Sequence, residues 1–375
     1  MAKRANGEGS IKHRTDGRWE ARYTFQGKSH SIYGKSQAEV RKKLTEVTSK
    51  IDGGTFAAPS KTTVAEWLEE WQEKYLRSVK ESTRQRYEID VRIHLVPAIG
   101  GVRLCKLSGD MITEMYSAEQ NKGLSVKSIK NLHGTLHKAL EQAAKKKLIT
   151  GNPCEDAIIP ESDEAVKEMH PLRDEQVKQF RQMAAGNFFE FLFDVALFTG
   201  MRQGEIIGLT WDCVDFERGD IHLYRQLKRI PKSGGQFRFT TLKNKQDRRI
   251  KPPQHVMEVL RKVKRQQAEW RLRCGECWHD TGLVFTNEIG EHVNDRTLYN
   301  NFKKIVDEMH LPEVRFHDLR HTYATLALQN GVDPKTVSAT LGHATVAFTM
   351  DKYGHVSQAM LTDSANKMQN YISGL

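Results

Sequence analysis

The apolar positions of this chain follow two periods in turn. Between the turn signals Asp16-Gly17 and Gln26-Gly27, Trp19, Ala21, Tyr23 and Phe25 alternate with Glu20, Arg22 and Thr24. That is the two-residue period of a strand with one buried face. The next stretch, KSQAEVRKKLTEVTSKIDGG, reads as one helix from a Ser36 cap to Gly53-Gly54. Residues 1–57 are therefore expected to form a small α+β module of three short strands and a helix. FAAPSK (56–61) has linker composition. Beyond it the period becomes helical. Thr63 and Glu66 make a capping box, and Val64, Trp67, Leu68, Trp71, Tyr75, Leu76 and Val79 form one stripe. Further helices are expected from Ser82 to a stop before Pro97, after Ser108, and from Ser125 with Ile129, Leu132, Leu136, Leu140 and Ala143 inward. Residues 62–160 read as an all-α domain, followed by a second polar linker, GNPCEDAIIPESDEAVKEM.

Residues 168–375 mix the two periods. FFEFLFDVALFTG predicts a buried helix ending at Gly200, and GDIHLYRQ and FRFTTLKNKQDRRIKP predict strands around polar turns. Helices are expected over 253–272, 295–309 and 316–329, with shorter ones following. The last residues, SQAMLTDSANKMQNYI, space Met360, Leu361, Ala365, Met368 and Ile372 as a short amphipathic helix. In VRFHDLRHTYATLALQNG, His317, Arg320 and His321 share one helical arc while Leu319, Tyr323 and Leu326 share another. The second arc is a core stripe. The first must face water, a metal or an anion.

Composition narrows the partner. The 375 residues carry a formal net charge of +11. Residues 1–57 hold 12 Lys/Arg against 6 Asp/Glu, a net +6, and this asymmetry favours nucleic-acid binding by the first module. In the helical domain Arg84, Arg86, Arg92, Lys127, Lys130 and Lys145 to Lys147 could track a phosphate backbone. No run of about 18 apolar residues predicts a membrane span, and MAKRANGEGS has no apolar core of a secretory signal. Five cysteines make no disulfide framework and fit a reducing cytoplasm.

Five basic positions and a tyrosine stand where folding alone does not ask for them. Arg202 follows a buried helix, Lys243 lies in a strand-turn, His317 and Arg320 share the arc described above, His343 sits in TLGHATVAFT, and Tyr353 in MDKYGH. Each has an ordinary reading: Arg202 as a cap or a partner for Glu205, His343 as a satisfied core histidine, Tyr353 as packing. Together they meet the needs of phosphodiester transesterification. Two guanidiniums can grip the non-bridging oxygens with forked hydrogen bonds. Histidines can donate to the same oxygens or move a proton, a lysine can protonate the leaving alkoxide, and a tyrosine oxygen can attack phosphorus and store the bond as an ester.

The order TGMRQGEIIGL, TLKNKQ, HDLRHTYATL, LGHATVAFTMDKY resembles the tyrosine recombinase family, of the phage and conjugative transposon integrase type. The resemblance covers the whole chain. It implies an arm-site DNA-binding domain at 1–57, a core-site DNA-binding domain at 62–160, and a mainly helical catalytic domain with a small sheet at 168–375, ending in a C-terminal tail. It makes Arg202 and Arg320 the phosphate clamp, Lys243 the general acid, His317 an aid to proton transfer, His343 a phosphate donor and Tyr353 the nucleophile. Glu205 becomes a supporting acid beside Arg202, and His321 a supporting residue behind the contact set. LKN stands where many relatives have Lys-Thr, and Lys245 is two residues on, so both lysines are candidates for the acid. The implied enzyme integrates and excises a mobile element in a bacterial cytoplasm. It needs no cofactor, works as a homo-tetramer on double-stranded DNA through a Holliday junction, and has an excisionase or a host DNA-bending protein as candidate accessory partner. Relatives dock the C-terminal element on a neighbouring protomer, while folding back on its own domain is the alternative.

Other readings fit less well. His317 and His321 have zinc-protease spacing, but Asp318 stands where that motif needs Glu, and Arg320 repels a cation. Cys274 and Cys277 with His279 fall short of four structural zinc ligands. No acidic cluster accompanies the basic set, as a metal-dependent nuclease requires. A DNA-binding regulator has no use for Tyr353 with all its partners, and a relaxing topoisomerase has none for the arm module.

Overall fold

The computed structural model describes residues 10–25, 27–53, 61–161, 169–230, 236–242, 247–354, 368–369 and 371–373. The chain divides into two compact units, Met1–Ala165 and Val166–Leu375.

The first unit contains a small sheet and a helical bundle. Strands β1 (Ser10–His13), β2 (Trp19–Phe25) and β3 (Lys28–Gly34) form an antiparallel meander. Helix α1 (Gln37–Asp52), capped by Ser36 through the Glu39 N–H, lies across it and closes a core of Ala21, Tyr23, Val40 and Leu44. On the sheet, Arg14 and Arg18 stand over the Tyr33 ring, 5.7 and 5.6 Å from its centroid. The bundle comprises α2 (Val64–Tyr75), α3 (Glu81–Ile89), α4 (Val96–Ile99), α5 (Gly109–Asn121) and α6 (Val126–Lys145). Both halves of the Thr63–Glu66 capping box form. Trp67, fully buried, donates its indole N–H to the Ala139 carbonyl at 2.9 Å, so the largest core residue leaves no polar group unmet.

One boundary differs from expectation. The helix at Glu81 does not stop before Pro97. Asp90–Leu95 widens into a π-helical turn, in which the Val96 N–H reaches the Val91 carbonyl. Pro97 then falls in the first turn of α4, where a missing N–H is tolerated. Of the basic residues on this bundle, Arg84 is paired with Glu81 and Glu88, Lys145 with Glu141, and Lys146 with Glu70. Among the described residues Arg92, Lys127 and Lys130 enter no ion pair.

The second unit is mainly helical. Its helices are α7 (Asp174–Ala184), α8 (Glu190–Thr199), α9 (Gln203–Ile206), α10 (Gln254–Cys274), α11 (Asp295–Glu308), α12 (Phe316–Gln329), α13 (Pro334–Leu341) and α14 (Val346–Tyr353). Strands β4 (Val214–Asp215), β5 (Asp220–Leu223) and β8 (Arg248–Ile250) make one antiparallel sheet, and β6 (Arg225–Arg229) and β7 (Phe237–Thr241) a hairpin. The largely apolar α8 runs through the core with Phe180, Phe302 and Phe316 around Phe193. A smaller cluster of Ala324, Leu328, Val337, Leu341 and Tyr353 joins α12, α13 and α14. That cluster brings the end of α14 onto the middle of α12.

Candidate active site

The site is assembled from helix ends. The last carbonyls of a helix have no intrahelical donor and carry the negative end of its dipole. Helix α8 ends at Gly200 and α13 at Gly342, both left-handed, with φ of 62° and 65°. A side chain at Gly200 would collide with Leu341 and Tyr323 at 2.7 Å, so glycine is required there on two counts. Arg320, 3% exposed, donates to the Gly200 carbonyl at 2.8 Å and the Leu341 carbonyl at 2.6 Å. Arg202 donates to the Gly342 carbonyl at 3.2 Å. The two guanidiniums are thus held by backbone oxygen at the C-terminal ends of two helices.

Beneath them lies Glu205, 1% exposed. It accepts from the Arg202 backbone N–H and side chain, both at 2.9 Å, and from Arg248 at 3.1 and 2.7 Å. Burial pushes its carboxyl up, but the Arg248 fork and the Arg202 N–H and charge outweigh burial and bring it down to about 2. Arg248 also donates to the Thr340 carbonyl at 2.7 Å, which ties the strand β8 to the turn before His343. For Arg320, burial and then the nearby Arg202 charge lower the pKa to about 9, and the group stays a cation at neutral pH.

Tyr353, 6% exposed, closes α14 with its ring in the small apolar cluster. Its hydroxyl is 2.5 Å from His321 Nδ1. The His343 ring lies nearly parallel to the tyrosine, with centroids 6.2 Å apart at 9°. His343 Nδ1 bonds the buried Thr349 hydroxyl at 2.8 Å, and among the described residues Nε2 has no hydrogen-bond partner. Burial, followed by the charges of Arg320 and Arg202, lowers His343 to about 4. His317 meets the His321 ring edge-on at 4.8 Å and 88°. Packing on one side and the Arg320 charge lower its pKa as well, although its outer face is open to solvent. Burial raises the Tyr353 pKa while Arg320 opposes the rise.

Five of the six residues singled out in the sequence therefore converge: Arg202, His317, Arg320, His343 and Tyr353. The sixth, Lys243, lies outside the described residues, as does Lys245. So do Met360, Leu361 and Ala365 of the tail, while Met368 and Ile372 are 61% and 59% exposed. Two residues of the site have a larger part than their sequence suggested. His321, read as a supporting residue, touches the tyrosine hydroxyl. Arg248 was not singled out, yet alternation in β8 puts it on the face of the buried Ile250, and a charged residue on a core-facing position is a signal. Cys274 and Cys277 are free thiols, and among the described residues no group of three or more His, Cys, Asp or Glu could hold a metal. None of the described helices is long and apolar enough to cross a membrane.

Paired arginines, histidines and a tyrosine on a mainly helical scaffold define a phosphoryl-transfer enzyme of the tyrosine recombinase class. The comparisons agree. Residues 161–360 match the Phage integrase family and residues 63–119 its N-terminal SAM-like domain. A tyrosine recombinase XerC-like protein of Caldanaerobacter subterraneus is 28% identical, over 90% of this chain and 91% of its own length. The ICEBs1 integrase of Bacillus subtilis is 26% identical, over 71% and 72%. The Tn1549 transposon integrase, solved in complex with a circular intermediate DNA, superposes with a TM-score of 0.68 at 22% identity, over 82% of this chain and 99% of that one. A lambda integrase tetramer bound to a Holliday junction covers 95% of this chain and 99% of its own, with a TM-score of 0.58 and 16% identity. The chain belongs to the Phage integrase family. It is a site-specific recombinase, cutting and rejoining DNA strands through a phosphotyrosyl intermediate to integrate and excise a mobile element.

Proposed function

We propose that Arg202 and Arg320 clamp the scissile phosphate of a DNA strand and that Tyr353 is the nucleophile. The Tyr353 Oη–P bond forms as the P–O5′ bond breaks, and the departing O5′ takes a proton from Lys243. Phosphate-ester energy is kept in the 3′-phosphotyrosine, so the 5′-hydroxyl of a partner strand can reseal without an energy source. His343 Nε2 donates to a non-bridging oxygen, and His317 assists proton movement. The observation that carries this reading is Arg320. A guanidinium 3% exposed and met by two carbonyls, rather than by a carboxylate, keeps its full positive charge. Among the described residues two of its five N–H donors are spent, which leaves the others for an anion. Preorganised donors of this kind are worth about 10²–10³ in rate each.

The remaining assignments follow the division of the chain. Residues 1–57 take arm-type DNA, with Arg14, Arg18 and Arg22 on the sheet. Residues 62–160 grip core DNA, with Arg92, Lys127 and Lys130 on phosphates. Residues 168–375 carry out the chemistry. A homo-tetramer on two duplexes is the working assembly, with an excisionase or DNA-bending protein setting direction. The test is a duplex carrying the core site, incubated with the protein in chelator. A covalent protein–DNA adduct that disappears in Tyr353→Phe, with DNA binding retained, is expected. An adduct that persists in Tyr353→Phe overturns the assignment.

A further inference from the structure

The tyrosine hydroxyl does not face the histidine that the family pattern puts in charge of protons. Among the described residues His317 makes no hydrogen bond to Tyr353. His321 does, at 2.5 Å through Nδ1. Its other nitrogen, Nε2, is 3.8 Å from Asp318 Oδ1. Asp318 is fully buried and held in place by Arg315, through the backbone N–H at 2.8 Å, Nε at 3.0 Å and Nη2 at 2.9 Å. A carboxylate on the Nε2 side favours the tautomer with its proton on Nε2. The lone pair of Nδ1 then points at the tyrosine hydroxyl. The imidazole is flanked by an acidic side chain 3.8 Å from one ring nitrogen and a hydroxyl nucleophile 2.5 Å from the other, a placement in which the acid can stabilise the cation of a base.

We infer that His321 is a catalytic residue, the base that takes the proton of Tyr353 during strand cleavage. This rests on the strand-cutting reading above. As the Oη–P bond forms and the P–O5′ bond breaks, the phenolic proton passes to His321 Nδ1, and Asp318 stabilises the resulting imidazolium. The leaving O5′ is protonated separately, by Lys243. On resealing, the incoming 5′-hydroxyl gives its proton back to Lys243 as its oxygen attacks phosphorus, the Oη–P bond breaks, and His321 returns its proton to the tyrosine.

The charges around His321 suit this cycle. Arg315, His317, Asp318, Arg320, His343 and Tyr353 face it. Burial first, then His317, lower its pKa to about 4, so the ring is neutral and able to accept at neutral pH. The scissile phosphate brings negative charge to the same cationic surroundings. That raises the proton affinity of the ring when the proton arrives. The same principle lets a base be held neutral until its substrate is bound.

The experiment uses the full chain and a duplex spanning the circular junction of the element that encodes it. Adduct formation is followed in a single turnover. His321→Ala is expected to cleave about 10²–10³-fold more slowly, with an unchanged melting temperature. Added imidazole should restore part of the loss. A 5′-bridging sulfur in the DNA should not, because the defect lies on the nucleophile and not on the leaving group. Nitrogen-15 histidine NMR of the free protein should show His321 Nδ1 unprotonated, and its resonance should move in Tyr353→Phe. Cleavage by His321→Ala at the unaltered rate, rescue by the bridging sulfur, failure of imidazole to rescue, or a protonated Nδ1 would each overturn the inference. Absence of any adduct with the unaltered protein would instead overturn the strand-cutting reading, and His321 with it.

Discussion

Arg248 and Glu205 form a two-pronged ion pair on the floor of the site, with Nη1–Oε1 at 3.1 Å and Nη2–Oε2 at 2.7 Å. The carboxylate is shared with Arg202, and Arg248 also reaches the Thr340 carbonyl. One buried anion thereby sets the spacing of an arginine pair, and one of the pair holds the turn that carries His343. Arg248→Ala should destabilise the protein by about 3–5 kcal/mol, because it strips a buried carboxylate of its strongest partner. Arg248→Lys should restore less than half of that, since an ammonium lacks the fork. Urea unfolding of the three proteins checks both, and equal stability of Arg248→Ala and the parent would contradict the pairing.

Stability should fall as pH drops from about 6.5 to about 4. His321 and His343 are both held near 4 in the fold, whereas an unfolded histidine titrates near ~6.5. Across that window the unfolded chain binds the extra protons, so stability rises with pH. Glu205 works below it. Its folded pKa of about 2 is depressed, so its contribution is complete above the ordinary carboxylate range and is lost as pH falls toward 2. Thermal melts between pH 8 and 4 should show the first decline, and His343→Gln should flatten it. A slope unchanged by that substitution would mean that other groups govern the window.

Lys243→Ala should slow cleavage by about 10²–10⁴-fold. A substrate with sulfur at the 5′-bridging position should recover much of the loss, because a thiolate departs without a proton. If Lys245→Ala shows that pattern instead, the acid is two residues further on. Single-turnover cleavage of both substrates by both variants decides.

Removal of residues 1–57 should spare cleavage of a short core duplex while weakening binding to longer DNA with distal sites. The segment carries a net +6 of the chain's +11. The slope of log K against log salt should therefore become shallower. Titrations at several salt concentrations measure it, and an unchanged slope would show that the module makes no phosphate contacts.

Much of this was readable from spacing. The Thr63–Glu66 box and the Trp67 stripe are local events within one or two helical turns, and both formed where their residues stand. The alternation at Trp19–Phe25 specified a strand with Ala21 and Tyr23 inward, for the same reason. The end expected before Pro97 failed because proline forbids one hydrogen bond, not a helix, and a π turn supplied the missing accommodation.

The residue types of the site were also set by the chain alone. Phosphoryl transfer needs cations, a proton carrier and a nucleophile, and few local structures need Arg202, Arg320, His343 and Tyr353 at once. Which of them touch was not. His321 and Tyr353 are 32 positions apart, and Glu205 and Arg248 are 43 apart. No periodicity spans such intervals. Their meeting depends on how α12, α13, α14 and β8 pack, and on two left-handed glycines that aim helix-end carbonyls at Arg202 and Arg320. Hydrophobic patterning reports which face of a segment is buried. Only the packed fold decides which polar groups are left facing one another inside it, because each buried donor must find whatever acceptor the other segments bring.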